Sequence, residues 1–134
     1  MNKLLWPAQV LLTLAFGLFG AQKVVMAIPD LIAMGMLWIE DFAVWQVRVI
    51  GTLEVLAVLG LYAPLLVPRM PRIVAPLAAA GLAATMVGAL ATHIVRGDPL
   101  LSIIINAVLL VAALLVAVVR SEASRRGVVG APAQ

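Results

Sequence analysis

The chain has 134 residues, of which 65% are hydrophobic and 11% are charged, and its mean hydropathy is +1.18. So few charged residues cannot cover the surface of a water-soluble domain, and the apolar residues form long unbroken runs, so the composition predicts a polytopic membrane protein. The net charge of +3 comes from basic residues near the ends of these runs, which disfavours nucleic-acid binding. The absence of cysteine excludes disulfides and thiolate metal sites within the chain.

Four apolar stretches are long enough to cross a hydrocarbon core about 30 Å thick, which takes roughly 20 helical residues. They cover residues 4–28, 46–67, 73–95 and 99–119. The first is longer than the apolar core of a signal peptide, about 7–15 residues, and contains Lys23, which favours a retained span. The sequence therefore predicts an all-α fold: an integral membrane four-helix bundle, residues 1–120, followed by a flexible cytoplasmic tail, residues 121–134.

Lysine and arginine are distributed unevenly among the connections between these spans. The N-terminus, the connection at residues 67–72 and the tail are basic, whereas residues 29–45 carry only acidic charges. Because basic connections stay on the cytoplasmic side, both termini are predicted to be inside, with two outer connections and one tight inner turn. The excess of arginine over lysine indicates a GC-rich bacterial source, so the predicted location is the bacterial cytoplasmic (inner) membrane.

The first outer connection is rich in large apolar residues, which recur at roughly helical spacing: Leu31, Met34, Leu37, Trp38, Phe42 and Trp45. Asp30 precedes them as a candidate N-cap. This pattern predicts a short amphipathic helix lying along the outer membrane interface, with Trp38 and Trp45 at the level of the lipid headgroups. The alternative is that this segment forms a surface that binds a partner protein.

Each predicted span places its strongest polar group in its outer half. At a rise of about 1.5 Å per residue, Lys23 lies about 10 Å, Glu54 about 4 Å, His93 about 13 Å and Asn106 about 5 Å outward of the midpoint of its span. Ionisable groups inside a membrane are costly and often mark functional sites. The sequence therefore predicts an outer-facing polar pocket built around these four side chains.

Small residues indicate where the helices approach one another. Stripes of small and weakly polar residues run along the third and fourth spans, at Gly81, Thr85, Gly88 and Thr92 and at Ser102, Asn106, Ala113 and Ala117. Such stripes are typical of helix contacts in lipid. Gly20 and Gly51 stand one turn before Lys23 and Glu54, so a neighbouring helix can approach each charge closely. Thr85, Thr92 and Ser102 are predicted as secondary members of the pocket.

Simpler interpretations of the same residues stay open. Lys23 and Glu54 could form an ion pair that only fixes helix register. Alternatively, the Lys23 side chain could extend outward so that its ammonium group reaches the membrane surface while its apolar carbons stay in the membrane. Arg48 is predicted as an interface anchor and a secondary site residue. No spacing of histidine and carboxylates indicates a metal site, and no nucleophile–base motif indicates a catalytic residue, so neither is assigned.

Four segments carry a family resemblance: "FGAQK" in the first span, "IGTLEVLAVLGL" in the second, "MVGALATHIVRGD" in the third and the asparagine of "SIIINAVLL" in the fourth. With these segments the chain resembles the DoxX-like family of small four-helix membrane proteins. The resemblance implies that Lys23, Glu54, His93 and Asn106 are the family's core polar set. It also implies an association with membrane redox systems, since the family is named after a subunit associated with quinol oxidation and thiosulfate:quinone oxidoreduction.

Three functions follow from the residues and the resemblance together. The first is an accessory or scaffold subunit that docks a membrane or periplasmic oxidoreductase and binds a quinone-like or other small amphipathic ligand, with no cofactor held by the chain itself. The second is a small proton-coupled transporter, and the third is a purely structural assembly protein. An autonomous enzyme is the least supported. Contact with the lipid bilayer is expected in each case, and a homo-oligomer stays open.

Overall fold

The structure, a computed structural model, describes residue 3 and residues 5–129, with side chains up to residue 126. The described residues form helices and contain no strand. Its long helices are α1 (Leu5–Val25), α3 (Val44–Leu66), α4 (Val74–Arg96) and α5 (Leu100–Val129). Each is long and apolar enough to cross a membrane. The predicted four-helix membrane bundle is thus confirmed.

The long helices form a closed ring in which each packs against two others. α3 packs on α4, α4 forms a hairpin with α5, and α1 completes the ring by contacting both α5 and α3. The main core lies inside this ring and contains leucine, alanine and valine side chains from all four helices, including the fully buried Leu12, Leu61, Leu82 and Val116. Interdigitation of such side chains is the main attraction between helices in lipid, where no hydrophobic driving force acts between them.

α1 changes neighbours along its length. Its first part, Leu5–Leu12, packs against α5, and its last part, Phe19–Val25, packs mainly against α3. A π-helical segment, Thr13–Leu18, separates the two parts. A π-helical turn is wider than an α-helical turn and shifts the register of the residues that follow it, which fits a helix that must present different faces to α5 and α3.

The first predicted span is too long at its C-terminal end. α1 ends at Val25, and a short helix, α2 (Ile28–Ala33), begins almost at once. Pro29 does not end a span but lies in the first turn of α2, where its missing N–H costs no hydrogen bond. The prediction of Asp30 as the N-cap residue is also wrong, because Ala27 occupies the N-cap position of α2 and Asp30 lies inside its first turn.

The last helix continues beyond the predicted boundary at residue 119. α5 remains helical through Arg120 and ends at Val129. Residues 121–126 include glutamate, alanine and arginine, which are good helix formers, and no proline follows Arg120 until residue 132. The predicted flexibility of the tail stays a prediction, and its last part, residues 130–134, lies outside the described residues.

Residues 26–43, which we call the cap, fold over one end of the bundle, the capped end. The cap contains α2 and a 3₁₀ helix, Leu37–Asp41. It has its own small core, in which the fully buried Leu31 and Ile39 pack with Val47 of α3. The predicted amphipathic segment therefore exists, but it consists of two short helices with a buried side.

The two tryptophans of this region have different environments. Trp45 is 66% exposed, and its predicted place at the lipid headgroups stays a prediction. Trp38 is half-buried, and its ring packs edge-on against Phe42 with 5.4 Å between the ring centroids. Its predicted place at the lipid headgroups also stays a prediction. If the Trp38 ring turned away from the bundle, it would lose its edge-on contact with Phe42, and such aromatic contacts are stabilising.

The predicted helix-contact stripe on α4 is wrong. Gly81 and Gly88 are exposed, and a Cβ atom on either would meet nothing within 4 Å. The buried residues of this helix are instead Ala75, Pro76, Ala79, Leu82, Ala83 and Met86. The alanines fill this role because their side chains are small enough for close packing and alanine is a better helix former than glycine. On α5 the prediction holds at Ala113, which is fully buried.

Candidate functional site

Lys23 and Glu54 form a buried ion pair between α1 and α3. Lys23 Nζ lies 2.8 Å from Glu54 Oε1 and 2.6 Å from Oε2, and the two residues are 8% and 2% exposed. Lys23 therefore pairs with the carboxylate and does not extend along its own stem toward the membrane surface. Each charge is neutralised by the other, which offsets much of the cost of placing both inside the bundle.

Two glycines allow this pair to form. A Cβ atom on Gly51 would lie 2.6 Å from Lys23 Cβ and 2.7 Å from the Gly20 carbonyl oxygen, and one on Gly20 would lie 3.0 Å from Glu54 Cβ. Side-chain atoms do not approach one another this closely, so α1 and α3 can meet here only without those methyl groups. The predicted role of both glycines in bringing the helices together at the charges is confirmed.

A cavity of about 590 Å³ lies beside the ion pair at the capped end. All four long helices and the cap contribute to its lining. The predicted site residues that line it are Lys23, Glu54, Thr85, Thr92, His93, Ser102 and Asn106. Three of the four residues of the predicted α4 stripe, Thr85, Gly88 and Thr92, thus face this cavity instead of a neighbouring helix, which explains why Gly88 is exposed.

Arg48 is the one predicted site residue that does not line the cavity. Its side chain donates a hydrogen bond of 2.5 Å to the backbone carbonyl oxygen of Lys23. That carbonyl lies in the last turn of α1, where no backbone N–H of the helix is free to bind it. Arg48 therefore supports the helix end that carries the lysine, and its predicted role as an interface anchor stays a prediction.

Aromatic side chains form much of the apolar part of the cavity. Phe16 and Phe19 come from α1, and Trp38 and Phe42 come from the cap. The Trp38 ring centroid lies 5.5 Å from Lys23 Nζ, a distance at which the ring face attracts the ammonium charge. This contact could not be predicted from residue spacing, because it depends on how the cap folds back over the bundle.

Charged residues tie the cap to the turn between α4 and α5. His93 Nδ1 lies 2.6 Å from Asp98 Oδ2, and Arg96 Nε lies 3.3 Å from both oxygens of Asp98. Arg96 also bonds Asp41 of the cap. The hydrogen bond from His93, followed by the charge of Arg96, lowers the pKa of the Asp98 carboxyl below its ordinary value. We call these four residues the clasp.

A second set of polar side chains lies inside the half of the bundle that is farther from the capped end. Arg120 donates a hydrogen bond of 2.8 Å to Gln9 Oε1, and Gln9 is 1% exposed. Thr13 and Tyr62 are bonded through their hydroxyl oxygens at 2.7 Å. Arg120 directly follows the predicted fourth span, residues 99–119, and its side chain reaches back across to α1.

Among the described residues, no group of three or more histidine, aspartate or glutamate side chains is arranged to hold a metal ion. The closest arrangement, His93 with Asp98, pairs an imidazole with a carboxylate that Arg96 also binds. Because these groups satisfy one another, the clasp is explained as an ionic network without a bound ion.

Comparison with known proteins agrees with the family resemblance of the sequence. A family model described as the DoxX-like family matches residues 8–117, a range that contains the ion pair, His93 and Asn106. No curated protein and no solved structure shows a significant match to the chain. Since the matched range covers most of the sequence and all four long helices enter it, the chain belongs to the DoxX-like family of multi-pass membrane proteins.

Proposed function

We propose that this protein is an accessory or scaffold subunit of a redox system in the bacterial inner membrane, and that its cavity binds a quinone-like or other small amphipathic molecule. The observation that carries the proposal is the single cavity that brings together Lys23, Glu54, His93 and Asn106 from four different helices. The redox context is carried over from the family resemblance. In this proposal the chain holds and orients the molecule, and a partner oxidoreductase exchanges electrons with it.

The size and lining of the cavity support a ligand of this class. Binding sites for small molecules usually have volumes of about 300–1,000 Å³, apolar and aromatic walls and a few polar groups in fixed positions. Here the aromatic rings of Phe16, Phe19 and Trp38 provide flat apolar surfaces, while the ion pair and Asn106 lie on the polar part of the lining. A flat ring with polar substituents matches this combination better than a fully apolar lipid chain does.

Tryptophan fluorescence gives a direct test, because Trp38 lines the cavity while Trp6 and Trp45 are exposed. A variant with Trp6→Phe and Trp45→Phe leaves Trp38 as the only reporter. In phosphatidylcholine nanodiscs, titration with the short-tailed quinone decylubiquinone is expected to quench Trp38 along a saturable curve that ends near one quinone per protein.

The matched control keeps Trp45 instead, through Trp6→Phe and Trp38→Phe. Trp45 lies on the exposed side of the molecule, so its fluorescence should fall in proportion to the quinone dissolved in the bilayer and should not saturate. Equal, non-saturating quenching of the two tryptophans would mean that the quinone only dissolves in the lipid, and the proposed ligand would be wrong.

The partner half of the proposal needs a separate test. A photo-crosslinking amino acid placed at exposed Met34 of the cap is expected to capture a membrane or periplasmic oxidoreductase in the native membrane. The same amino acid at exposed Leu65, near the far end of α3, serves as the control. Capture of the same proteins from both positions, or of no oxidoreductase, would contradict the scaffold role.

A proton-coupled transporter is the second candidate, and it is favoured by an acidic side chain, Glu54, that is 2% exposed and lines the cavity. A transporter would show uptake into liposomes that depends on a pH gradient and is abolished by Glu54→Gln. Absence of any flux that depends on Glu54 would eliminate this candidate and leave the binding and scaffold role.

A further inference from the structure

Several hydrogen-bond donors on the cavity wall are already used within the protein. The hydroxyls of Thr85 and Thr92 donate to the carbonyl oxygens one turn earlier, at 3.0 Å each. The Asn106 amide donates to the Ser102 carbonyl oxygen at 2.8 Å. Two N–H groups of Lys23 point to Glu54. The hydroxyl hydrogens of both threonines, one N–H of Asn106 and two N–H groups of Lys23 are therefore already occupied.

The acceptors of the same groups, in contrast, are left free for a ligand. A hydroxyl that donates its hydrogen keeps its oxygen lone pairs, so Thr85 and Thr92 can each accept. In neutral His93, Nδ1 must carry the hydrogen that faces the Asp98 carboxylate, which leaves Nε2 as an acceptor. Asn106 Oδ1 adds a further acceptor. The polar lining is therefore matched to a ligand that donates hydrogen bonds.

The apolar side of the cavity leads toward the lipid between α1 and α5. Phe19 and Ile105 both line the cavity, and they are 46% and 50% exposed. The wall is thin here because the last part of α1 packs mainly on α3 and not on α5. An apolar chain attached to the ligand can leave through this wall without contacting water.

We infer that the ligand is a lipid-soluble alcohol or phenol, whose hydroxyl donates its one hydrogen to Thr85 Oγ1 and whose chain passes between Phe19 and Ile105 into the bilayer, with His93 and Asn106 as the other acceptors on the lining. This inference rests on the proposed binding role of the cavity and narrows its ligand to a hydroxyl donor. A ligand with the same chain that offers only acceptors, such as an ether, cannot make this bond. Loss of one such bond corresponds to about tenfold in affinity.

The test uses two probes that differ in one hydrogen-bond donor. They are a long-chain alcohol brominated near its hydroxyl and the methyl ether of the same alcohol, titrated against the variant in which Trp38 is the only tryptophan. Bromine quenches tryptophan at short range, so each probe reports its own binding. The alcohol is expected to saturate the quenching at a concentration about tenfold lower than the ether.

Two threonine variants test whether Thr85 accepts the hydrogen bond from the ligand hydroxyl. Thr85→Val should reduce the preference for the alcohol severalfold, whereas Thr52→Val should not change it. Thr52 is a matched control, since its hydroxyl makes the same bond to a carbonyl one turn earlier, at 2.8 Å, but it does not line the cavity. Circular dichroism and retention of the Trp38 emission maximum confirm that both variants are folded.

The outcomes separate this inference from the proposed function. Equal affinity for alcohol and ether, or an unchanged preference in Thr85→Val, overturns the inference. Saturable quenching by decylubiquinone without any by the alcohol also overturns it, while leaving the proposed binding role intact. If neither the quinone nor the alcohol saturates, both the inference and the proposed ligand class are wrong.

Discussion

Lys23 and Glu54 depend on each other, because each would be a charge without a partner inside the bundle if the other were removed. We expect Lys23→Met or Glu54→Leu alone to lower the free energy of unfolding by about 3–5 kcal/mol. The double variant should recover most of this loss, since two apolar side chains bury no charge. Denaturation in mild detergent, followed by the fluorescence of Trp38, measures all three variants.

The double variant also tests what the pair is for. A pair that only fixes helix register predicts that the double variant keeps every activity of the wild type. If the pair orients a ligand, the double variant should be stable yet lose saturable quenching by the quinone. A double variant as unstable as the single ones would contradict the description of Lys23 and Glu54 as mutually neutralising.

Gly51 shows most clearly how a single residue positions the site. Gly51→Ala places a methyl group 2.6 Å from Lys23 Cβ, so the helices must separate, and we expect a loss of about 1–3 kcal/mol in the free energy of unfolding. Gly81→Ala is the control, because its methyl group meets nothing within 4 Å and alanine is the better helix former. Equal effects of the two substitutions on thermal stability would contradict the close contact.

At the level of helices, the sequence was most informative where a periodic apolar run met a polar residue. The four spans, the level of their polar groups and the roles of Gly20 and Gly51 could all be predicted, because each depends on local spacing. The inward side of α4 could not, since glycine, alanine and threonine are all small enough for either a helix contact or a cavity wall. Only the positions of the neighbouring helices decide between them.

The sequence predicted that the cap contains a short amphipathic segment, but it did not predict which residues of the bundle the cap contacts. Asp41 and Arg96 are far apart in the sequence, and nothing local pairs them. Trp38 looks like an ordinary interface tryptophan until the 3₁₀ helix, Leu37–Asp41, turns its ring over Lys23. Contacts of this kind arise from the folding of a connection over the bundle, and they have no signature in residue spacing.

The clasp should control the mobility of the cap. We expect Asp41→Asn to increase amide hydrogen exchange in the cap, since Arg96 loses its charged partner there. Glu40→Gln, at the neighbouring exposed position, is the control and should leave exchange unchanged. Equal exchange in the two variants would mean that the apolar cap core alone, and not the clasp, keeps the cap in place.

Low pH should weaken the clasp as well. His93 and Arg96 lower the pKa of Asp98, so the charged form of Asp98 is favoured in the folded protein. Its stabilising effect is complete above the ordinary carboxyl pKa of 3.8 and is lost as the pH falls through the lowered value. Asp98→Asn should therefore weaken the acid dependence of cap exchange below pH 3.8; an unchanged dependence would assign it to other carboxyls.

For the molecule as a whole, the charge distribution predicts that the capped end is outside and that both termini are inside. The cysteine-free chain suits a test with single cysteines in intact cells. Met34→Cys in the cap should react with a membrane-impermeant maleimide, and Ser124→Cys near the end of α5 should react only after lysis. The reverse pattern would invert the orientation and place the cavity on the cytoplasmic side.

Lipid extraction followed by mass spectrometry of the purified protein tests the proposal that the cavity holds a lipid-soluble molecule. Ala89→Phe fills the cavity from α4, while Ala80→Phe adds the same ring on the exposed side of that helix. We predict one small amphipathic molecule that copurifies with the wild type and with Ala80→Phe and is lost from Ala89→Phe. The same set of extracted molecules from all three proteins would contradict the claim.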